Sequence, residues 1–200
     1  MLTRLVMRVI VVWMTNRTLV IEFWGGPGVG KSTMAADSFV RLKKLGINVE
    51  LITEYAKGWA WDGKRIGELD QIYILSKQLK QESRLYGKVD VIITDSPLAL
   101  SAFYAKYYHG TDYIKSAVDG IIESTGRAGV DRFSFLLYRS EDREYQQSGR
   151  YEDSEAAKAV DSAMSKFCYG HCRDGISVNA DDSAVDRVVQ AVLDALKGGL

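Results

Sequence analysis

A chain of 200 residues that is 46% hydrophobic, with 26 Lys and Arg against 26 Asp and Glu, describes one ordinary domain large enough to bury its own core. The formal net charge of zero gives no overall electrostatic drive toward nucleic acid or an anionic membrane, although a local basic face can sit inside a neutral total.

The first apolar run, Leu5 to Met14, is broken by Arg8 and is about half the length a membrane-spanning helix requires. No small-residue cleavage pattern follows it, which argues against a signal peptide. Residues 1–17 are therefore read as an N-terminal extension outside the core fold, and residues 18–200 as the folded domain. Leu19 to Trp24 is a short, mostly apolar, β-prone run. Ser32 to Leu45 then places Met34, Ala35, Phe39, Leu42 and Leu45 at helical spacing before Gly46, a natural helix terminator.

Between strand and helix stands Gly25-Gly26-Pro27-Gly28-Val29-Gly30-Lys31-Ser32, followed by Thr33. It fits G-x-x-x-x-G-K-[ST] in the required strand, loop and helix order. Glycines let the backbone turn tightly and aim its N–H groups, with the positive end of the helix, at a nucleotide's phosphates. Lys31 is placed to reach the β- and γ-phosphates and Ser32 to ligate Mg²⁺, so ATP and Mg²⁺ are the expected cofactors. A dinucleotide fingerprint G-x-G-x-x-G starting at Gly26 fails, because its last position is Lys31.

Ile47 to Tyr55 reads as a second strand with Glu54 near its end, where it would face an entering acceptor. Glu54 is a candidate base or a surface carboxylate. Tyr55 to Trp61 is unusually aromatic for a polar connection. Trp59 and Trp61, with Tyr73 beyond them, form either a platform for a base or ordinary packing. Leu69 to Leu85 is an amphipathic helix. Val89 to Asp95 is an apolar third strand ending in a carboxylate, with Ser96-Pro97 opening the next helix. Phe103 to Tyr108 reads as helical packing, Phe133 to Tyr138 as a fourth strand, and Ser154 to Phe167 as a helix. Cys168, His171 and Cys172 lack a fourth partner nearby and make a poor zinc site, so the cysteines are read as a reduced structural pair and no structural metal is expected. Ile176 to Val178 is a short fifth strand, and Ser183 to Leu196 a terminal helix. The alternation gives an α/β fold, a parallel five-stranded sheet of order 2-3-1-4-5 with helices on both faces and the ligand at the strands' C-terminal ends. Topology puts the adenine near Asn179.

Asp95 stands where a second acidic element of phosphate-loop enzymes stands. It can hold Mg²⁺, accept a proton from an attacking hydroxyl, or merely cap the following helix. Ser96 follows it where an ATP-hydrolysing motor places Glu, and no N-K-x-D guanine-reading segment exists. Transfer to an acceptor hydroxyl is the reading that remains. Such a site needs positive charge on the transferred phosphoryl group, and Arg139, Arg143 and Arg150 punctuate the polar segment after the fourth strand. That segment is an arginine-bearing lid or a solvated loop.

The segments Gly25 to Thr33, Val49 to Lys57, Val89 to Pro97 and Gly149-Arg150 together resemble the small P-loop kinases of tailed bacteriophages, a group related to thymidylate and nicotinamide riboside kinases that includes phage 5-hydroxymethyluracil DNA kinases. The resemblance spans Thr18 to about Phe167. It implies ATP·Mg²⁺-dependent phosphorylation of a hydroxyl on a nucleoside-type acceptor, with Lys31, Asp95, Glu54 and the three arginines as catalytic candidates. Glu54, Trp59, Trp61 and Ser96 become candidates for binding the acceptor. The best expectation for that acceptor is the hydroxymethyl group of 5-hydroxymethyluracil in phage DNA, a DNA-modification step. A free deoxynucleotide or nucleoside is the alternative, and a non-kinase ATP-binding switch a third. The expected location is the cytoplasm, with no membrane partner.

Overall fold

β1 (Thr18–Trp24) is buried at every position, which makes it the axis of the molecule. The structure is a computed structural model that describes residues 17–140, 145–171 and 175–198. β1 pairs in parallel with β3 (Val91–Thr94) on one side and β4 (Val130–Tyr138) on the other. β2 (Val49–Ile52) pairs with β3, and β5 (Ile176–Asn179) with β4, both in parallel. The order is β2-β3-β1-β4-β5, as expected from the sequence.

Side chains alternate across a strand, and β1 shows what each face requires. Leu19, Ile21 and Phe23 pack with Met34 and Leu42 of α1 (Lys31–Lys44) and with Val185, Val188 and Val192 of α7 (Asp182–Leu196). Trp24 points the other way. It joins Leu75 of α3 (Asp70–Ser83), Phe103 of α4 (Leu100–His109), Val118 of α5 (Tyr113–Arg127) and Met164 of α6 (Ser154–His171). Helices thus cover both faces, and the covered faces explain why the strands read as near-continuous apolar runs.

Local structure departs from the expectations in three places. Residues 56–61 were expected to be a loop, but Ala56–Trp61 forms the short helix α2. Pro97 does not open a helix at once: a turn closes from the Leu100 N–H onto the Pro97 carbonyl at 2.9 Å before α4 starts. Helix α5 has no counterpart in the sequence reading, because Gly120 and Gly126 dilute its pattern. Arg143 and Cys172 lie outside the described residues, as does the side chain of His171, while Cys168 is buried. Among the described residues no helix is long and apolar enough to cross a membrane.

One buried feature of the second face is ionic. Glu22 of β1, 4% exposed, accepts from an Arg132 guanidinium nitrogen at 2.7 Å, and the other terminal nitrogen donates to Glu82 of α3 at 2.8 Å and to the Tyr86 hydroxyl at 3.0 Å. Ser134 donates to the second Glu22 oxygen at 3.1 Å and accepts from the Trp24 indole at 3.2 Å. Burial opposes the charge on Arg132, but Glu82 and Glu22 more than offset it and raise its pKa. Burial pushes the Glu82 carboxyl above its ordinary value, with Arg132 pulling it back.

Arg132→Ala strands two buried carboxylates and is expected to cost about 3–5 kcal/mol in urea unfolding at neutral pH. Without the guanidinium the Glu82 carboxyl loses the pull that holds its pKa down, and that pKa rises further. A raised folded pKa gives stability that is full below the unfolded value and lost as pH rises through the folded one, so the deficit should shrink toward pH ~4.

Candidate active site

The turn from β1 into α1 is built on left-handed glycines: Gly28 has φ 74° and Gly30, the residue that precedes α1, φ 113°. No side chain caps α1, and no acid stands in its first turn. Its leading N–H groups and the positive end of its dipole are therefore available to an anion. Val29 is buried in the core and fastens the loop from below. The Lys31 ammonium donates to the carbonyls of Gly25 at 2.7 Å and Gly26 at 2.9 Å. Burial lowers its pKa, and the carboxylates of Glu54, Asp95 and Asp161 resist that shift.

Asp95 follows β3 and is 2% exposed. One carboxylate oxygen accepts from the Ser32 hydroxyl at 2.5 Å and the other from the Glu54 backbone N–H at 2.9 Å. It does not cap the next helix, because Ala99 precedes α4 and no side chain caps that helix. The capping reading of Asp95 is thereby corrected. Glu54 lies just past β2, and burial pushes its carboxyl pKa up against the opposing pull of Lys31. Lys31, Ser32, Thr33, Glu54 and Ser96 all line one cleft of about 1250 Å³. The Ser96 N–H donates to the Thr94 hydroxyl at 3.1 Å, fixing the turn that follows β3.

Of the arginine-bearing segment, Tyr145, Gln146, Gly149 and Arg150 line this cleft, whereas Arg139 stands outside the lining, against the phosphate loop. Arg139 donates to Asp161 of α6 at 2.9 Å and to the Pro27 carbonyl at 2.8 Å. The Tyr145 ring lies 5.6 Å from the Arg139 guanidinium and 5.1 Å from that of Arg150, within reach of cation–π attraction. Arg150 lines the cleft, and one terminal nitrogen is buried with no hydrogen-bond partner. An unmet cationic donor at this place fits a phosphate oxygen. The roof reaches the far wall too: Tyr151 donates to the Lys64 carbonyl at 2.6 Å. Gly149 packs so closely on Trp61 that a Cβ there would stand 2.7 Å from the indole.

The expected base platform is placed differently. Ala56, Lys57 and Ala60 of α2 line the cleft, whereas Trp59 and Trp61 do not, because helical rotation turns successive residues away from one another. Trp59 stacks on Tyr73 with centroids 5.6 Å apart, and the Lys64 ammonium stands 3.2 Å from its ring centroid. Trp61 is 64% exposed at the rim. Asn179 closes β5 outside the cleft lining, its carbonyl accepting from the Asp181 N–H at 2.9 Å. The structure adds Tyr104 and Tyr108 to the cleft wall, one turn apart on α4, with Tyr108 donating to Glu152 at 2.5 Å. Their i, i+4 spacing was visible in the sequence. Asp161 and Tyr145 carried no motif.

The AAA domain family model matches residues 20–184. No curated protein matches this chain at a significant level. Among solved structures it is similar to deoxyadenosine kinase from M. mycoides with bound dATP, at 21% identity and a TM-score of 0.54, over 89% of this chain and 99% of the kinase chain. That likeness shows a shared fold.

Gly149→Ala places a side chain at φ 74° against the Trp61 indole. The expected result is faster proteolytic cleavage in residues 145–153, with the core destabilised by only about 1 kcal/mol; limited proteolysis beside a thermal melt checks both.

Proposed function

The chain belongs to the AAA domain family across residues 20–184, and on that ground and the geometry of its phosphate loop we propose that it is an ATP-dependent kinase acting on a hydroxyl of a nucleoside-type acceptor. The observation that carries this reading is Glu54. A carboxyl held above its ordinary pKa by burial shares one cleft with the phosphate loop, and its own N–H is fixed to Asp95. Phosphoryl transfer asks for little covalent chemistry from the protein; it needs positioning, positive charge and a proton acceptor.

In this reading the α1 amides and Lys31 hold the β- and γ-phosphates of ATP. Ser32 and Asp95 suit Mg²⁺, a hard cation that takes oxygen ligands and is content with one or two from the protein. When bound, the ion neutralises charge between the β- and γ-phosphates. Both Asp95 oxygens are engaged by Ser32 and the Glu54 N–H, which leaves Glu54 to orient the acceptor hydroxyl and take its proton. Arg150, with its unmet nitrogen, and Arg139 screen the transferred group. Arg143 remains a proposal of the same kind from its place in the sequence. Ser96 lines the acceptor side.

For the acceptor we favour a free nucleoside or nucleotide. A roof formed by Gly149 on Trp61 and Tyr151 on Lys64 spans part of the cleft, and the solved structure that shares the fold is that of a deoxyadenosine kinase. The second reading is the hydroxymethyl group of 5-hydroxymethyluracil in phage DNA, supported by the sequence resemblance and by exposed Trp61, close in sequence to Lys57, Lys64 and Arg65. Dependence on ATP fits the cytoplasm.

The test is an acceptor panel of nucleosides, nucleotides and hydroxymethyluracil DNA with γ-labelled ATP. Label in free nucleotide product supports the first reading, label in DNA the second, and label in neither removes the kinase assignment. Lys31→Ala should abolish transfer while leaving the melting temperature close to that of the parent.

Glu54→Gln should lower kcat by about 10²- to 10⁴-fold. Since the Glu54 pKa is raised, the base is active only above that pKa, so the parent's kcat/KM should climb with pH on a limb above the ordinary glutamate range. Loss of that limb in Glu54→Gln, read from pH profiles, is the expected signature.

A further inference from the structure

We propose that Asp161 is a positioning residue that fixes the phosphate loop and the lid arginine Arg139 as one unit. The proposal rests on the kinase reading and assigns a role within it to a side chain outside the motif. Asp161 sits on α6, which belongs to neither the loop nor the lid. One carboxylate oxygen accepts from the Gly26 N–H at 3.1 Å, and the other from the Arg139 Nε–H at 2.9 Å. Arg139 then returns to the loop, donating to the Pro27 carbonyl at 2.8 Å. The result is a closed circuit from helix to loop to lid and back.

The circuit explains a residue choice that the motif leaves open. In G-x-x-x-x-G-K-S the second position is unrestricted, and Gly26 has no left-handed φ that would demand glycine. A Cβ at Gly26 would stand 2.2 Å from an Asp161 oxygen and 3.2 Å from the Ala157 carbonyl. Glycine is required there so that α6 can bring a carboxylate onto the loop. The charge arrangement follows the same logic. A bare carboxylate beside a polyphosphate site repels the donor, whereas one paired with Arg139 is close to neutral. Of the guanidinium's donors, Nε–H and one terminal nitrogen are taken by Asp161 and Pro27. The other terminal nitrogen is the one whose position the circuit sets. It lies 3.4 Å from where a Gly28 Cβ would be, at the loop that cradles the phosphates.

The experiment uses the full chain with Asp161→Asn, which keeps the shape and one acceptor oxygen but opposes the Arg139 Nε–H with an amide. Misplacing a charged group by about an ångström costs on the order of 10²-fold. The expected result is a kcat loss of about 10- to 100-fold with the KM for ATP changed far less. The deciding readout is the cycle with Arg139→Ala: if Asp161 acts through Arg139, Asp161→Asn adds no further loss in the Arg139→Ala background. A purely structural carboxylate would lower the melting temperature and multiply with Arg139→Ala. A kcat within twofold of the parent, or multiplicative losses, overturns the proposal. Should the parent transfer phosphate to no acceptor, the function proposed above fails on its own. The same cycle is then read from a smaller, few-fold loss of affinity for a fluorescent ATP analogue, where an Asp161→Asn effect that vanishes without Arg139 supports the coupling, and one that persists, or no effect in the parent background, overturns it.

Discussion

The carboxylate of Asp95 is the constraint on which the site depends. It is buried, and both oxygens are committed, one to a side chain at the start of α1 and the other to the backbone just past β2. It thereby fixes the ends of three neighbouring strands to one another: β3 by its own position, β1 through the loop it delivers, and β2 through Glu54. A buried carboxyl group is tolerable only when hydrogen-bonded in this way. The two bonds are thus the condition for having an acid there and also the reason Glu54 stands where it does.

Around that anchor the electrostatics are arranged in opposition. Burial disfavours charge on both Lys31 and Glu54, and each favours charge on the other. The lysine is further supported by Asp95 and Asp161. A second ionic set, Glu22, Arg132 and Glu82, lies within the sheet's other face, away from the cleft lining. Among the described residues, buried charge is therefore held in two ways: the sheet set pairs Arg132 with two carboxylates and leaves Arg132 Nε and Glu82 Oε1 without a partner, while the cleft keeps an unmet donor on Arg150.

The sequence made the sheet legible because β1, β3 and β4 are covered on both faces and so appear as apolar runs, and because the glycine-rich turn allows few alternatives. The phosphate-binding half of the site was legible for the same reason: its function is carried by backbone geometry, which a short contiguous motif specifies. The acceptor half was less so. Trp59 and Trp61 drew attention by their chemistry, but a single helical turn decides which side chains face the cleft, and it chose Ala56, Lys57 and Ala60. Asp161, 135 positions from Gly26, reaches the loop through tertiary packing alone. No local pattern announces such a contact.

Gly26 and Gly28 bear on how freely such a loop can be exchanged between proteins. Gly28 lies beneath the Tyr145 ring, where a Cβ would stand 2.7 Å away, and Gly26 lies beneath Asp161. Gly25 answers to Val29 and the Leu137 carbonyl and Gly30 to its left-handed φ, whereas Gly26 and Gly28 answer to α6 and to the lid. A phosphate loop with side chains at these positions, transplanted here, would meet the motif and still collide with its own roof. In this chain the loop is no interchangeable cassette: Gly26 and Gly28 are fitted to Asp161 and Tyr145, so a side chain at either position asks for a compensating change at its neighbour.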